Sequence, residues 1–186
     1  YNILAVHGLL GLSYPLKDVL ACLETLPHVP GRMECITSPN KPLFVVDYAH
    51  TPDALKNVLM TAKNLLATSS GKLWCIFGCG GDRDKGKRPQ MASVAEALSD
   101  KIIITNDNPR TEDPDVIAQD IMAGLSTPQN VTVILDREAA IRYAYLHEQA
   151  NDIILIAGKG HEPYQIIGTE KHYFSDQAVC RQLVSS

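Results

Sequence analysis

The sequence lacks the features of a membrane protein, a nucleic-acid-binding protein or a disulfide-stabilised protein. No apolar run reaches the roughly 18 to 20 residues needed to cross a bilayer. A formal net charge of −4 gives no electrostatic reason to expect nucleic acid. The cysteines are odd in number and contain no C-x-x-C pair: Cys22, Cys35, Cys75, Cys79 and Cys180. We therefore predict a cytoplasmic protein with free thiols, no metal site, and neither membrane nor nucleic acid among its partners.

Two nucleotide-binding motifs are also absent. Each Gly-Lys step is followed by a residue other than Ser or Thr, namely Leu73, Arg88 or Gly160, so the sequence contains no P-loop. No G-x-G-x-x-G follows the first predicted strand, which argues against a dinucleotide enzyme. If the protein uses ATP, the triphosphate must be gripped elsewhere.

Residues 1–30 have helical character and precede the main part of the chain. Leucines and alanines recur at helical spacing over residues 2–26 and are interrupted near Pro15, which predicts two short helices. A proline-rich step ending at Pro30 then predicts a linker. This segment is too short for a domain, and the chain begins at Tyr1 without a methionine. We therefore expect a fragment in which these helices complete a preceding domain.

From residue 31 onward, predicted strands alternate with predicted helices. The strands are short apolar runs at 33–37, 43–47, 72–77, 102–104, 131–135 and 153–157. The helices between them begin near Thr51, Pro89, Asp113 and Arg137, and a last helix opens at 175–176. Residues 164–167 and 171–174 flank Gly168 as a hairpin. The pattern predicts an α/β fold, a Rossmann-like and mostly parallel sheet with helices on both faces and an antiparallel hairpin near the C-terminus.

Four polar loops follow four of these strands, beginning at Asp47, Gly78, Asn106 and Gly158. Because loops that follow parallel strands emerge at the same edge of the sheet, we expect them to line one cleft. In the third loop, Pro109 forces the preceding residue into an extended conformation, so the polar side chains there do not continue into a helix.

The charges in these loops suit a zwitterionic ligand. Arg110 can hold a carboxylate through two hydrogen bonds, while Asp107 and Glu162 can hold an ammonium group. This combination predicts an amino-acid site. The alternative is that Arg110 and Glu162 form a salt bridge with each other across the cleft.

The loop over residues 78–89 combines glycines with four cations, Arg83, Lys85, Lys87 and Arg88, ahead of a predicted helix start at Pro89. Glycines allow backbone N–H groups to approach an anion, and a helix start adds its positive dipole end, so the loop is predicted to bind a carboxylate or phosphate. The alternative is a solvated turn whose cations pair with Asp82 and Asp84. Isolated histidines such as His50 and His161 more often serve structure or contact a nucleotide than act as general bases.

Five ordered motifs closely resemble those of the Mur ligases: GRME at 31–34, DYAHTPDAL at 47–55, FGCGGDRDKGKRP at 77–89, DNPRTE at 107–112 and AGKGHE at 157–162. Within the family the resemblance is to members that add meso-diaminopimelate. It implies three domains that bind the UDP end of the substrate, ATP, and the incoming amino acid. Residues 31–186 then resemble the third domain, and residues 1–30 the closing helices of a truncated central domain.

The resemblance also implies an activity for the full-length protein. In that activity, which belongs to peptidoglycan precursor synthesis, ATP phosphorylates the D-glutamate carboxylate of UDP-N-acetylmuramoyl-L-alanyl-D-glutamate and ADP is released. An amine of meso-diaminopimelate then attacks the acyl phosphate, which forms the amide and releases phosphate. ATP and Mg²⁺ are expected to be held mainly by the central domain, so this chain alone is expected to be inactive and to carry no catalytic residue and no metal ligand. We expect a monomer.

Position by position, the resemblance assigns two sets of contacts. The residues expected to contact meso-diaminopimelate are Arg83, Asp107, Asn108, Pro109, Arg110, Gly158 and Glu162. In this assignment Arg110 grips the distal carboxylate, and Asp107 and Asn108 hold the distal ammonium and the shape of the loop. The residues expected to contact ATP are Arg32, Asp47 and His50.

Two other functions remain open from the sequence. Because a fold does not determine function, the chain can be a non-catalytic amino-acid-binding module. It can also belong to a related ligase that adds a different amino acid, as the folylpolyglutamate relatives do. Arg110 favours diaminopimelate over lysine, because lysine has no distal carboxylate to pair with it.

Overall fold

The computed structural model describes residues 15, 17, 18, 21, 29–66 and 70–185. The two helices predicted over residues 2–26 lie almost entirely outside the described residues. Those helices, and the domain boundary after residue 30, therefore stay predictions.

The described chain alternates strands and helices up to a C-terminal hairpin and helix. The strands are β1 Glu34–Ile36, β2 Leu43–Asp47, β3 Leu73–Phe77, β4 Lys101–Ile104, β5 Val131–Val133, β6 Ile153–Ala157, β7 Tyr164–Ile167 and β8 Glu170–Tyr173. The helices are α1 Pro52–Leu66, α2 Lys87–Leu98, α3 Pro114–Met122, α4 Arg137–His147 and α5 Asp176–Ser185, with a 3-10 turn at Pro128–Asn130.

Six strands form one sheet in the order β1-β2-β6-β3-β4-β5. Strands β2 to β6 pair in parallel, and β1 pairs with β2 in the antiparallel sense. Strands β7 and β8 form a separate antiparallel pair. The predicted fold class is confirmed. The strand predicted at 33–37 is β1, and only its antiparallel direction was not predicted.

Helices cover both faces of the sheet because its central strands are apolar on both sides. Along β6, Leu155 packs into the cluster formed with α1, α2 and α3. Its neighbours Ile154 and Ile156 point to the opposite face and pack with residues of α4 and α5. All three side chains are completely buried.

The helix starts follow local capping chemistry. Asp113 accepts the Asp115 N–H at 2.9 Å, and the Thr51 hydroxyl accepts the Ala54 N–H at 3.3 Å, as predicted for N-cap residues. The start predicted at Pro89 is two residues late, because α2 begins at Lys87. Proline is tolerated there since the first helical N–H groups have no intrahelical partner.

The four polar loops emerge together at the carboxyl edge of the sheet, as predicted. The Gly158 N–H donates to the Asp47 carbonyl at 3.0 Å, and the Gly81 N–H donates to the Asn108 carbonyl at 2.9 Å. These bonds join the loops in pairs and form the walls of a cleft.

Within the described residues, no helix combines the length and apolarity needed to cross a membrane. Among the described cysteines, Cys35, Cys75, Cys79 and Cys180 are free thiols. Burial raises the pKa of Cys75 and of Cys79 to about 12, so neither thiol ionises near neutral pH.

Candidate functional site

The carboxyl-edge loops enclose a cleft of about 530 Å³. Seven of the ten residues assigned to ligands by sequence line it: His50, Arg83, Asp107, Asn108, Arg110, Gly158 and Glu162. Pro109 is buried on the other side of its loop, against a second cavity of about 320 Å³. The structure thus brings Arg83, Arg110 and Glu162 to one pocket although they are far apart in the sequence.

Arg110 occupies an unusual backbone conformation at the cleft wall. Its φ is +52°, in the left-handed region that disfavours residues with a Cβ. The β7–β8 hairpin holds it there, because the Arg110 N–H donates to the Ile166 carbonyl at 3.0 Å and the Gly168 N–H donates to the Arg110 carbonyl at 2.7 Å. Backbone strain maintained by surrounding bonds is typical of functional sites.

The guanidinium of Arg110 donates to the carbonyl oxygens of Gly81, at 2.8 Å, and Asn108, at 3.4 Å. The carboxylate of Glu162 instead accepts from Asn108 Nδ2 at 3.2 Å and from Lys159 Nζ at 3.3 Å. The alternative considered above, a salt bridge between Arg110 and Glu162, is therefore not formed between these two described side chains. Because the two side chains do not pair with each other and both line the cleft, each can contact a ligand there.

Asn108 serves the shape of the loop. Its Oδ1 accepts from Lys159 Nζ at 3.1 Å and from the Ile166 N–H at 3.0 Å, while its Nδ2 faces Glu162. Two donors on Oδ1 fix the orientation of the amide. Because both lone pairs are occupied, Asn108 Oδ1 has none left for an ammonium group, whereas Asp107 and Glu162 also bring carboxylate oxygens to this cleft.

Asp107 lies partly buried beside Gly158. Burial raises the pKa of this carboxyl, while Arg137 and Lys159 act in the opposite direction. Gly158 has a φ of +119°, and a Cβ on it would lie 2.5 Å from Asp107 Oδ2. Glycine is therefore required at 158 both for its backbone conformation and for the approach of the carboxylate.

The hairpin supports this loop from outside the sheet. Gln165 Nε2 donates to the Asp107 carbonyl at 2.8 Å, in addition to the bonds made by Ile166 and Gly168. The segment 107–110 thus depends on partners in β7 and in the turn that follows it.

The glycine-rich loop has a different physical basis from the one predicted. A Cβ on Gly78 would collide with the Thr105 carbonyl oxygen, and one on Gly81 with the Pro109 carbonyl oxygen. The Gly81 N–H is already bonded to the Asn108 carbonyl. The glycines at 78 and 81 therefore allow two loops to pack together and do not leave both N–H groups open to an anion.

The four cations of this loop divide into two pairs. Arg88 is completely buried and bonds to Glu112 at 2.9 Å and Asp120 at 2.8 Å, and Lys85 contacts Glu112 at 3.0 Å. Their assignment to an anion site was wrong for a structural reason, because both are neutralised by carboxylates of another loop and helix. Arg83 and Lys87 line the cleft and can meet an anion there.

The alternative for the loop over residues 78–89, in which its cations pair with Asp82 and Asp84, also differs from the structure. Asp82 accepts from the Thr111 hydroxyl at 2.9 Å, and Asp84 accepts the Gly86 N–H at 2.8 Å. Glu112 and Asp120, rather than Asp82 or Asp84, are the carboxylates that pair with these two loop cations.

The ion pairs of Glu112 predict an acid dependence of stability. Hydrogen bonds from Arg88, foremost, and from Lys85 lower the pKa of Glu112 to about 2 from its usual 4.5. Because the folded-state pKa is depressed, the stabilisation is complete above the usual pKa and is lost as the pH falls toward 2. We expect the free energy of unfolding, measured in urea across this interval, to fall less steeply in Glu112→Gln than in the unsubstituted protein.

The titration of Glu96 does not affect the comparison between Glu112→Gln and the unsubstituted protein. Hydrogen bonds from Ser126 and Thr127 also lower the pKa of Glu96 to about 2, but Glu96 is present in both proteins. Its contribution therefore cancels in the difference between the two slopes. Identical slopes would show that Glu112 does not titrate with folding.

Of the three residues assigned to ATP, His50 lines the cleft, Arg32 lies beside the cleft residue Tyr48, and Asp47 stabilises a turn. His50 is exposed and its Nδ1 lies 2.8 Å from the Tyr48 carbonyl oxygen. Arg32 is exposed, with its guanidinium carbon 4.9 Å from the centre of the Tyr48 ring. Both oxygens of Asp47 accept backbone N–H groups, from Met33 and Ala49, at 2.8 Å each.

Sequence reasoning missed several residues of the site. The further cleft residues that it did not single out include Tyr48, Thr51 and Cys79. Their positions within four residues of the end of a predicted strand were the available signal. Lys159 was also missed: it is completely buried behind the cleft, and burial lowers its pKa.

A cleft with both signs of charge at the carboxyl edge of a parallel sheet is typical of α/β domains that bind small ligands. Residues 31–160 match the family model described as Mur ligase, glutamate ligase domain. The chain belongs to the Mur ligase family.

Known relatives extend this result. The chain is 54% identical to the UDP-N-acetylmuramoyl-L-alanyl-D-glutamate--2,6-diaminopimelate ligase of Haemophilus ducreyi, over 98% of this chain and 36% of that protein. A solved structure of a ligase with the same name has a TM-score of 0.77 and 42% identity, and covers 98% of this chain and 36% of its own. UDP-N-acetylmuramate-alanine ligase of Thermotoga maritima, at 23% identity and a TM-score of 0.67, shares the fold over 99% of this chain and 36% of its own. The chain thus spans about a third of the length of these relatives.

Proposed function

We propose that residues 31–186 are the amino-acid-binding domain of an ATP-dependent ligase that joins meso-diaminopimelate to UDP-N-acetylmuramoyl-L-alanyl-D-glutamate. Residues 1–30 would close the ATP-binding domain before it. The observation that carries the proposal is the charge arrangement of the cleft, in which guanidinium groups of Arg83 and Arg110 share one pocket with carboxylates of Asp107 and Glu162.

This arrangement complements an amino acid with charged groups at both ends. Arg110 pairs with the distal carboxylate, and Asp107 with Glu162 receives the distal ammonium. Arg83, exposed at the edge of the same cleft, contacts the amino acid from the other side. With the distal end held in this way, the other amine is free to attack the activated carboxyl of the second substrate.

The proposal assigns ATP and Mg²⁺ mainly to the preceding domain, where ATP supplies the phosphoryl group that activates the D-glutamate carboxyl. On this chain, the exposed guanidinium of Arg32 and the exposed imidazole of His50 fit contacts with ribose and phosphate oxygens. Asp47 supports them by holding the turn at Tyr48–His50. Within the described residues, no group of three or more His, Cys, Asp or Glu side chains is placed to hold a metal ion.

The test is a ligase assay on the full-length protein that contains this chain. We expect ADP to form only when the UDP-linked dipeptide and meso-diaminopimelate are both present. The proposed reaction is the cytoplasmic step of cell-wall precursor synthesis that governs cell shape and division. ADP formation that does not depend on the amino acid would contradict the proposal.

Two further arms of the assay address the alternatives. Equal activity with lysine or glutamate in place of meso-diaminopimelate would assign the chain to a ligase of different specificity. Calorimetric binding of the amino acid without any ADP formation by the full-length protein would assign it to a non-catalytic module.

A further inference from the structure

Lys159 is a buried cation that the contacts proposed above do not use. Its side chain is completely buried, in the segment that follows β6. Its Nζ lies 3.1 Å from Asn108 Oδ1, 3.3 Å from Glu162 Oε2 and 5.6 Å from the centre of the Tyr164 ring. Removing an ammonium group from water is costly, and these partners offset that cost.

The contacts of Lys159 join two segments that both face the cleft. Asn108 belongs to the loop after β4 and lies 51 residues before Lys159 in the sequence, whereas Glu162 lies three residues after it. Asn108 Nδ2 in turn donates to the same Glu162 oxygen that Lys159 contacts. The three side chains therefore form a closed triangle of hydrogen bonds at the back of the cleft.

We propose that Lys159 is a positioning residue for amino-acid recognition: together with the Asn108 amide, it holds the Glu162 carboxylate in the orientation that receives the ammonium group of the incoming amino acid. This inference rests on the proposed function of the cleft. Lys159 itself lies behind the residues that line the pocket, so it acts through Asn108 and Glu162 and does not touch the amino acid.

Loss of Lys159 would disturb the site in two ways. Asn108 Oδ1 would keep the Ile166 N–H as its partner but lose its charged donor, and Glu162 would lose its only cation among the ion pairs of the described residues. Burial already raises the pKa of Asp107, and Lys159 is one of the cations that oppose this rise. Without Lys159, the Glu162 carboxylate therefore loses its charged partner and is less ordered, and Asp107 loses a cation that opposes the rise in its pKa.

The experiment uses the full-length ligase with Lys159→Met, which keeps the length of the side chain and removes its charge. We expect the KM for meso-diaminopimelate to rise by about tenfold or more, as for loss of hydrogen bonds to a charged group, with the KM for ATP unchanged. A uniform loss of activity without this selective rise in KM would indicate a merely structural role and overturn the proposal.

Lys171→Met is the matched control. Lys171 is exposed and also approaches the Tyr164 ring, with its Nζ 4.3 Å from the ring centre. It carries the same charge and receives the same substitution. We expect its KM for meso-diaminopimelate to be unchanged, and a rise equal to that of Lys159→Met would overturn the proposal.

A double-mutant cycle separates positioning from direct contact. If Lys159 acts through Glu162, the variant Lys159→Met/Glu162→Gln should bind meso-diaminopimelate little worse than Glu162→Gln alone. Fully additive losses would overturn the proposal. If Lys159→Met does not fold in thermal melting, Lys159→Gln, which keeps a shorter hydrogen-bond donor, is measured in the same cycle by the same criteria.

The result also separates this inference from the proposed function. An unsubstituted enzyme that forms ADP without meso-diaminopimelate would contradict the proposed function itself. An enzyme that requires meso-diaminopimelate but shows an unchanged KM in the Lys159 variant would contradict the positioning role alone.

Discussion

Replacing Arg110 with alanine in the full-length ligase is expected to raise the KM for meso-diaminopimelate by about thirtyfold or more. This factor corresponds to about 2 kcal/mol for the loss of a charge-assisted pair with a carboxylate. Alanine has a Cβ as arginine does, so the left-handed backbone at φ +52° carries a similar strain in both proteins. The change in KM, measured by ADP release at saturating ATP, therefore reports the guanidinium.

Two variants control this measurement. Arg110→Lys keeps the charge and the Cβ but loses the planar fork, and we expect an intermediate KM. Arg142→Ala removes a guanidinium from α4, where Arg142 is paired with Glu138 at 2.8 Å and is outside the cleft, and we expect no change. An unchanged KM in Arg110→Ala would remove Arg110 from amino-acid recognition.

Replacing Arg137 with methionine is expected to lower the free energy of unfolding by about 3 to 5 kcal/mol, since it leaves one charge of a buried pair without its partner. Arg137 Nε donates to Asp176 Oδ1 at 2.8 Å, and both side chains are completely buried. Arg137 also donates to the carbonyl oxygens of Asn106 and Ala157, at the ends of β4 and β6. Urea unfolding gives the loss directly.

The matched comparison is the double variant Arg137→Met/Asp176→Leu, which removes both charges together. We expect it to recover a large part of the lost stability, because apolar groups of similar volume can replace a buried ion pair. Arg142→Met, on the same helix but in an exposed pair, should cost about 0.5 kcal/mol or less. A loss below about 1 kcal/mol in Arg137→Met would contradict the account of a costly unpaired charge.

The strands and the common edge of the loops could be predicted because their signals are local. The isoleucines at 102–104 and 153–154 belong to short runs of apolar residues that are bounded by polar residues or glycine. Because isoleucine is β-branched, such runs indicate buried parallel strands. Because parallel strands all run in the same direction, the four loops that follow them must lie at the same edge of the sheet. The convergence of Arg83, Arg110 and Glu162 on one pocket was predictable for the same reason.

The pairing of charges could not be predicted, because it depends on partners that the sequence separates widely. Arg88 meets Asp120 across 32 residues, Arg137 meets Asp176 across 39, and Lys159 meets Asn108 across 51. The sequence shows that each of these cations lies in or near a polar loop. It does not distinguish a cation that is buried in an ion pair from one that is free to bind a ligand. The same limit applies to Gly78 and Gly81, whose packing against residues 105–109 appears only in three dimensions.

The dependence of residues 107–110 on the β7–β8 hairpin has a consequence for redesign. The Ile166 N–H that orients Asn108 is supplied from 58 residues further along the chain, and the same hairpin keeps Arg110 in its left-handed conformation. Transferring residues 107–110 alone into a homologous protein would move the side chains without the hairpin that fixes their orientation. Under the proposed function, an exchange of amino-acid preference between such enzymes therefore requires both segments to be moved as one unit.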